Sequence, residues 1–314
     1  MSGFYAVLKK ELQDDFASWR FIIFFAIVLM VGVYAIYTAA ETIRSVVTGT
    51  SPFIFMALFT ASGDVVPFSF LEIIAIALPV VAIGLSWDAI NSERNRGTLS
   101  RLVSQPIYRD SIINAKFLAG VITLSIIMTS INLLVTGLGI RMIGIAPTAE
   151  EAWRLLFFLV LSIIYGAFWM GLSILFSIVF KWVAASALAS LAIWLFFFQF
   201  YNRLAQALAD QFRPVTDTVA SQVSNIQFLI VAWRFSPIEL FKEAEAMILL
   251  PGQRTMAELL QIITGTSATP LSTPLSLNQS LSTVWPHIII LFTLMVICFS
   301  ISYIVFMRQE IRAT

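Results

Sequence analysis

The sequence predicts an all-α integral membrane protein with six transmembrane helices. Three observations carry that expectation. The 314 residues are 59% hydrophobic and only 12% charged, about half the charge of an ordinary soluble domain. The mean hydropathy is +0.90. Six stretches are also long and apolar enough to cross a hydrocarbon core, which takes about 20 residues of helix: Phe21 to Ala40, Phe68 to Ala89, Phe117 to Ile140, Leu155 to Phe180, Val183 to Tyr201, and His287 to Met307. The runs are too long, and alternate too little, for a closed barrel. A soluble enzyme, a disordered chain and a disulfide scaffold are excluded by the same composition. A net charge of +1 argues against a nucleic-acid partner.

Residues 1–20 precede the first span. At helical spacing, Phe4, Tyr5, Leu8, Leu12, Phe16 and Trp19 fill one apolar arc, with Lys9, Lys10, Gln13 and Asp14 outside it and Asp15 intruding. This is the pattern of a helix lying in the headgroup plane, an interfacial elbow; the plainer alternative is a polar cap on the first span. The first span follows a mixed-charge stretch with no small-residue cleavage site, so it reads as retained rather than as a signal peptide.

An even number of spans puts both termini on one side. Eleven of the 19 Lys and Arg residues fall there and eight on the other, which makes the side of the termini cytoplasmic. The second span carries Glu72 near its start. An acid within a span is costly and marks a candidate substrate path; snorkelling near the interface is the alternative. Pro79 and Gly84 predict a kink there, and Gly166, Gly171, Ala185 and Ala189 predict close helix packing.

The loop 91–110, NSERNRGTLSRLVSQPIYRD, is the most charged part of the chain. Gly97 can break the preceding helix and Thr98 can cap a new one. Pro106 ends it. Leu99, Leu102 and Val103 then share a small apolar face on a cytoplasmic loop, the signature of a docking element; the alternative is a basic loop that serves only topology. The segment 202–286 is too long for a simple connection. Its apolar pieces, including a helix over SPIELFKEAEAMILLP and another over RTMAELLQIITG, are too short to span. They read either as re-entrant helices or as a folded extracytoplasmic subdomain.

Catalytic and cofactor motifs are missing. No G-x-x-x-x-G-K-[ST] occurs, so the chain has no ATP-binding loop. With one His, His287, and one Cys, Cys298, no His/Cys zinc or haem cluster and no internal disulfide can form within the chain.

The stretch WDAINSERNRGTLSRLVSQPIYRDSIINAKFLAG resembles the signature of ABC-2-type permeases, the membrane subunits of ATP-driven exporters. The matching positions are Glu93, Gly97, Thr98, Leu99, Ser104, Pro106, Ile107, Arg109, Lys116 and Phe117, with Ala115 standing where the family commonly has Gly. SPIELFKEA and the terminal SYIVFMRQEIRAT also resemble the branch of nitrous-oxide-reductase maturation permeases, the NosY-like branch. The resemblance covers the whole topology, residues 1–314 as one permease domain. It implies a homodimer on two copies of an ABC ATPase in the plasma membrane of a prokaryote. ATP and magnesium would be held by that partner and no cofactor by this chain. The short helix after the second span would be the coupling helix, with Glu93, Gly97, Thr98, Leu99, Leu102, Val103, Ser104, Pro106 and Arg109 contributing to it. A membrane enzyme acting on lipids around Glu72, and a six-helix scaffold or sensor, are the readings from other classes.

Overall fold

The computed structural model describes residues 2–46, 53–61, 68–99, 107–216, 218–250 and 274–309. These residues are helical or lie in short turns, and none is in a strand. Six helical stretches are long and apolar enough to cross a membrane: Trp19–Ile43, Phe70–Asn95, Arg109–Ile143, Ala149–Val179, Val183–Phe212 and Leu277–Arg308. They correspond in order to the six predicted spans.

In chain order the helices are α1 (Ser2–Ala17), α2 (Trp19–Val46), α3 (Ile54–Thr60), α4 (Phe70–Ser86), α5 (Asn91–Asn95), α6 (Arg109–Ile143), α7 (Ala149–Val179), α8 (Val183–Leu195), α9 (Tyr201–Phe212), α10 (Val219–Trp233), α11 (Pro237–Leu249) and α12 (Leu277–Arg308). Caps written in the sequence start several of them. Ser69 with Glu72, Thr148 with Glu151, and Ser276 with Gln279 each form a capping box, which satisfies backbone donors at the helix start. Gly144, at φ 78°, ends α6.

Helix α7 is the centre of the bundle and packs against α4, α6, α8, α11 and α12. Its Phe158, Tyr165 and Trp169 are fully buried. Tyr165 stacks on Phe241 of α11, with ring centroids 4.1 Å apart, and donates to the Ala75 carbonyl of α4 at 3.1 Å. Gly84 admits the Phe24 ring of α2: a Cβ there would lie 2.2 Å from the ring's tip. By contrast α2, α8 and α12 turn large apolar side chains outward, among them Ile22, Ile27, Leu188, Phe292 and Ile304, as lipid-facing helices do.

The segment 202–286 differs from its sequence reading at both ends. The fifth span passes through a π-helical turn, Phe196–Phe200, straight into α9. The sixth begins ten residues before His287, at Leu277. Between them, α10 folds back on α9 over a small cluster of Ala205, Ala209 and Leu229. Helix α11 instead joins the main core through Ile238, Leu240, Phe241, Ala244 and Ile248. The helix expected over RTMAELLQIITG lies outside the described residues.

Candidate functional site

The chemistry concentrates at the end of the bundle where α1, α5 and the start of α6 meet. Helix α4 stops at Ser86, eleven residues before Gly97, and a turn over 87–90 leads into α5. Neighbouring spans hold that turn. The Ser177 hydroxyl of α7 accepts from the backbone N–H groups of Ile90 and Asn91 at 3.0 and 3.2 Å, and Ser186 of α8 donates to the Trp87 carbonyl. Gly97 follows with φ 70°, a conformation that strongly favours glycine. The Thr98 hydroxyl donates back to the Glu93 carbonyl at 3.2 Å, tying the new turn to α5.

Glu93 belongs to a closed ring of alternating charges. Lys10 lies 3.0 Å from Glu11 and 3.1 Å from Glu93, and Lys116 lies 2.9 Å from Glu11 and 3.1 Å from Glu93. The ring joins α1, α5 and α6, and its Lys116 side chain is only 4% exposed. Burial would by itself raise the Glu11 carboxyl, but Lys116 and Lys10 outweigh it and hold the group below its ordinary value. Burial likewise disfavours the Lys10 ammonium, yet Glu11 and Glu93 hold its pKa above the usual lysine range. Beside the ring, Arg20 pairs with Asp88 at 2.8 Å.

A second knot ties the same loop to the C-terminal end of α12. Arg94 donates to the Ile178 carbonyl at 3.2 Å and to the Gln309 side chain. Gln309 donates to the same Ile178 carbonyl at 2.9 Å, and Arg109 donates to the Gln309 carbonyl at 3.1 Å. Asn95 reaches the Lys181 carbonyl at 3.1 Å. The loop is therefore held to α1, α6, α7, α8 and α12 at once.

Of the residues singled out in the sequence, Glu93, Gly97, Thr98, Arg109 and Lys116 converge here. Leu99 does not present an outward face. It is 1% exposed and sits in this chain's own main core, because the turns at 87–90 and 96–97 fold it back over the bundle. Leu102, Val103, Ser104 and Pro106 lie outside the described residues. Glu72 stands apart at the other end of α4, exposed, with Oε2 accepting from the Ser69 N–H at 2.8 Å; it caps the helix. Among the described residues no group of three or more His, Cys, Asp or Glu could hold a metal ion.

Sequence reasoning missed Lys10 and Glu11 as ring members, and Gln309. It also missed Arg154, one turn inside α7 at the far end. Arg154 is fully buried and donates to the carbonyls of Ile248 at 2.7 Å and Leu275 at 2.8 Å, to Ser280 at 3.2 Å, and to Glu150 at 2.8 Å. Nearby, His287 meets Glu243 at 3.0 Å. Glu245 is buried with one oxygen unpartnered, and burial pushes its carboxyl well above the usual range.

One signal was visible. Asp15 intrudes on the apolar arc of α1 because it accepts from Thr123 of α6 at 3.0 Å. Burial pushes its carboxyl up to about 6, against the lowering effect of that hydrogen bond. A carboxyl raised in the folded state favours the protonated form, so its stabilising contribution is complete below about pH 4 and is lost as pH rises through about 6. Thermal unfolding should therefore show a loss on the order of 1–2 kcal/mol between pH 4.5 and 7, after discounting for partial exposure. Asp15→Asn should flatten that part of the profile, and an unchanged pH dependence in the variant would refute the assignment.

The sequence model for the ABC-2 family transporter protein matches residues 5–311. A comparison with curated proteins returns no match. Permeases of this family are non-catalytic membrane subunits that carry no cofactor, and ATP is bound by a partner ATPase. With six apolar spans and the family match running over nearly its whole length, the chain belongs to the ABC-2 family and is the membrane permease subunit of an ABC transporter.

Proposed function

We propose that this permease works as a homodimer on two ATPase subunits in a prokaryotic plasma membrane, as an exporter, with both termini and residues 91–110 on the cytoplasmic side. The single observation that carries the reading is the four-charge ring. It fixes α5, and hence the segment entering the coupling loop, to α1 and α6 together. A push on the loop would then move three elements as one body. Leu99 serves as the inner anchor of the coupling helix, while Leu102 and Val103 supply the face offered to the ATPase. Helix α1 lies in the headgroup plane: Tyr5, Leu8, Leu12 and Phe16 line an apolar groove on its outer side, and its polar side binds the bundle. Glu72, with Oε2 in the cap, is the acid we would place on the substrate path.

The test is coexpression with the ATPase, native mass spectrometry and ATP turnover in nanodiscs. Two copies of each subunit are expected. An unpaired charge in a protein interface costs several kcal/mol, so Leu102→Asp should weaken ATPase capture by at least about a hundredfold while the permease still inserts. Wild-type capture and turnover in Leu102→Asp would remove residues 91–110 from the coupling role.

The NosY-like reading, support for maturing a copper enzyme, rests on two segments that also have local duties here. Ser236 caps α11 by accepting from the Glu239 N–H, and Gln309 ties the end of α12 to the loop. Those duties would serve any cargo, so export is the reading we favour.

A further inference from the structure

A cavity of about 660 Å³ opens between α1, the start of α2, the α4–α5 turn, α6 and α7. That is within the range of small-molecule sites, roughly 300–1,000 Å³. Leu85, Met170 and Ile174 form an apolar part of its wall. The four charges of the ring satisfy one another along one side. Charges remain beyond them. Arg96 is exposed and makes no ion pair among the described residues, and Arg20, paired with Asp88 at 2.8 Å and lying over the Trp87 ring, is exposed as well. On the anionic side, Asp15 has the neutral Thr123 hydroxyl as its hydrogen-bond partner, and Asp14 is 65% exposed, 3.5 Å from Lys10. Burial raises Asp15 even though Lys116 acts to lower it, so nearby cations balance its charge only in part. Trp19, 77% exposed, stands at the rim, a residue type that favours the membrane–water boundary.

A ligand that fits must bring both a cation and an anion, and an apolar extension. An anionic phosphoglycerol lipid would offer Asp14 and Asp15 hydroxyl donors but no positive charge to balance theirs. A choline headgroup has a cation but no N–H to donate. We propose that this cavity seats the phosphoethanolamine headgroup of a bilayer lipid, its ammonium on Asp14 and Asp15 and its phosphate between Arg20 and Arg96. The lipid would then wedge α1 against the bundle from the membrane side. This inference rests on α1 lying at headgroup level and is independent of ATPase docking, which the capture experiment above reads separately.

The experiment uses the full chain, delipidated in mild detergent, and native mass spectrometry with equal additions of phosphatidylethanolamine, phosphatidylglycerol and phosphatidylcholine of matched acyl chains. One phosphatidylethanolamine per chain should be retained at about tenfold lower concentration than the other two lipids. Arg96→Gln and Asp15→Asn should each weaken that retention about fivefold, roughly the share of one charge-assisted contact, and the double variant should erase the preference. Arg96 is exposed, so its replacement leaves folding intact and keeps the test readable even if Asp15→Asn loosens α1. Arg141→Gln, at the other end of α6, should change nothing. Equal retention of the three lipids, or a preference that survives in the double variant, would overturn the proposal. Displacement of the lipid by soluble glycerophosphoethanolamine at equal concentration would overturn its lipid part, since the headgroup alone would then be the ligand.

Discussion

Replacing Lys116 with methionine is expected to uncouple the permease and to destabilise it at the same time. Lys116 is one of two cations in a ring with two carboxylates, and its side chain is 4% exposed. Without it, Glu11 and Glu93 face each other with only Lys10, itself 48% exposed, to share. Leaving buried charge unpaired costs about 3–5 kcal/mol when the pair is fully buried; with Lys10 still present, about 2–4 kcal/mol is expected here. The readouts are the thermal midpoint in detergent and the response of ATP turnover to transported compound. Lys116→Arg should retain most of both, because it keeps the charge. A Glu93→Gln, Lys116→Met double-mutant cycle should give a coupling of about 1–3 kcal/mol, the range for groups sharing a network. Additive effects would show that the ring is not a unit.

The second large effect is expected at the opposite end. Arg154→Met should cost on the order of 3–5 kcal/mol, because it strips the donor from two buried carbonyls and from Ser280 together. Those partners lie in three separate places: the end of α11, the approach to α12 and its first turn. One guanidinium therefore ties the end of α11 and the start of α12 to α7. Its planar fork can reach several carbonyls at once where an ammonium acts as a point charge, so Arg154→Lys should recover only part of the loss. A melting point within a degree or two of wild type would show that α11 packing alone holds this end of the bundle.

The six spans were legible because a long apolar run has few other uses. Their ends were not. The helix of α12 starts at Leu277, in LNQSLSTVWP, where Ser, Thr, Asn and Gln read as loop and Pro286 reads as a stop. The structure carries the helix through it because a capping box at Ser276 and the bond from Arg154 to Ser280 hold the first turns. The loop signature pointed to Glu93 and Lys116 without showing that they touch. Their partners are set by the tertiary fold: Lys10 meets Glu93 across 83 residues and Glu11 meets Lys116 across 105. Gln309 reaches Arg94 across 215. No local pattern encodes such pairs. Leu99 was legible as apolar, but not as inward, because its direction depends on the turn at 87–90 that Ser177 and Ser186 hold from other helices.

Charge neutrality of the ring has an electrical consequence. Lys10, Lys116, Glu11 and Glu93 sum to zero, and so do Arg20 and Asp88. An unbalanced elementary charge carried across the full membrane field works with or against about 2.3 kcal/mol per 100 mV. A cluster of zero sum that moves as one body exchanges almost none. Any displacement of the ring as a unit therefore costs the same in an energised membrane and in a depolarised one.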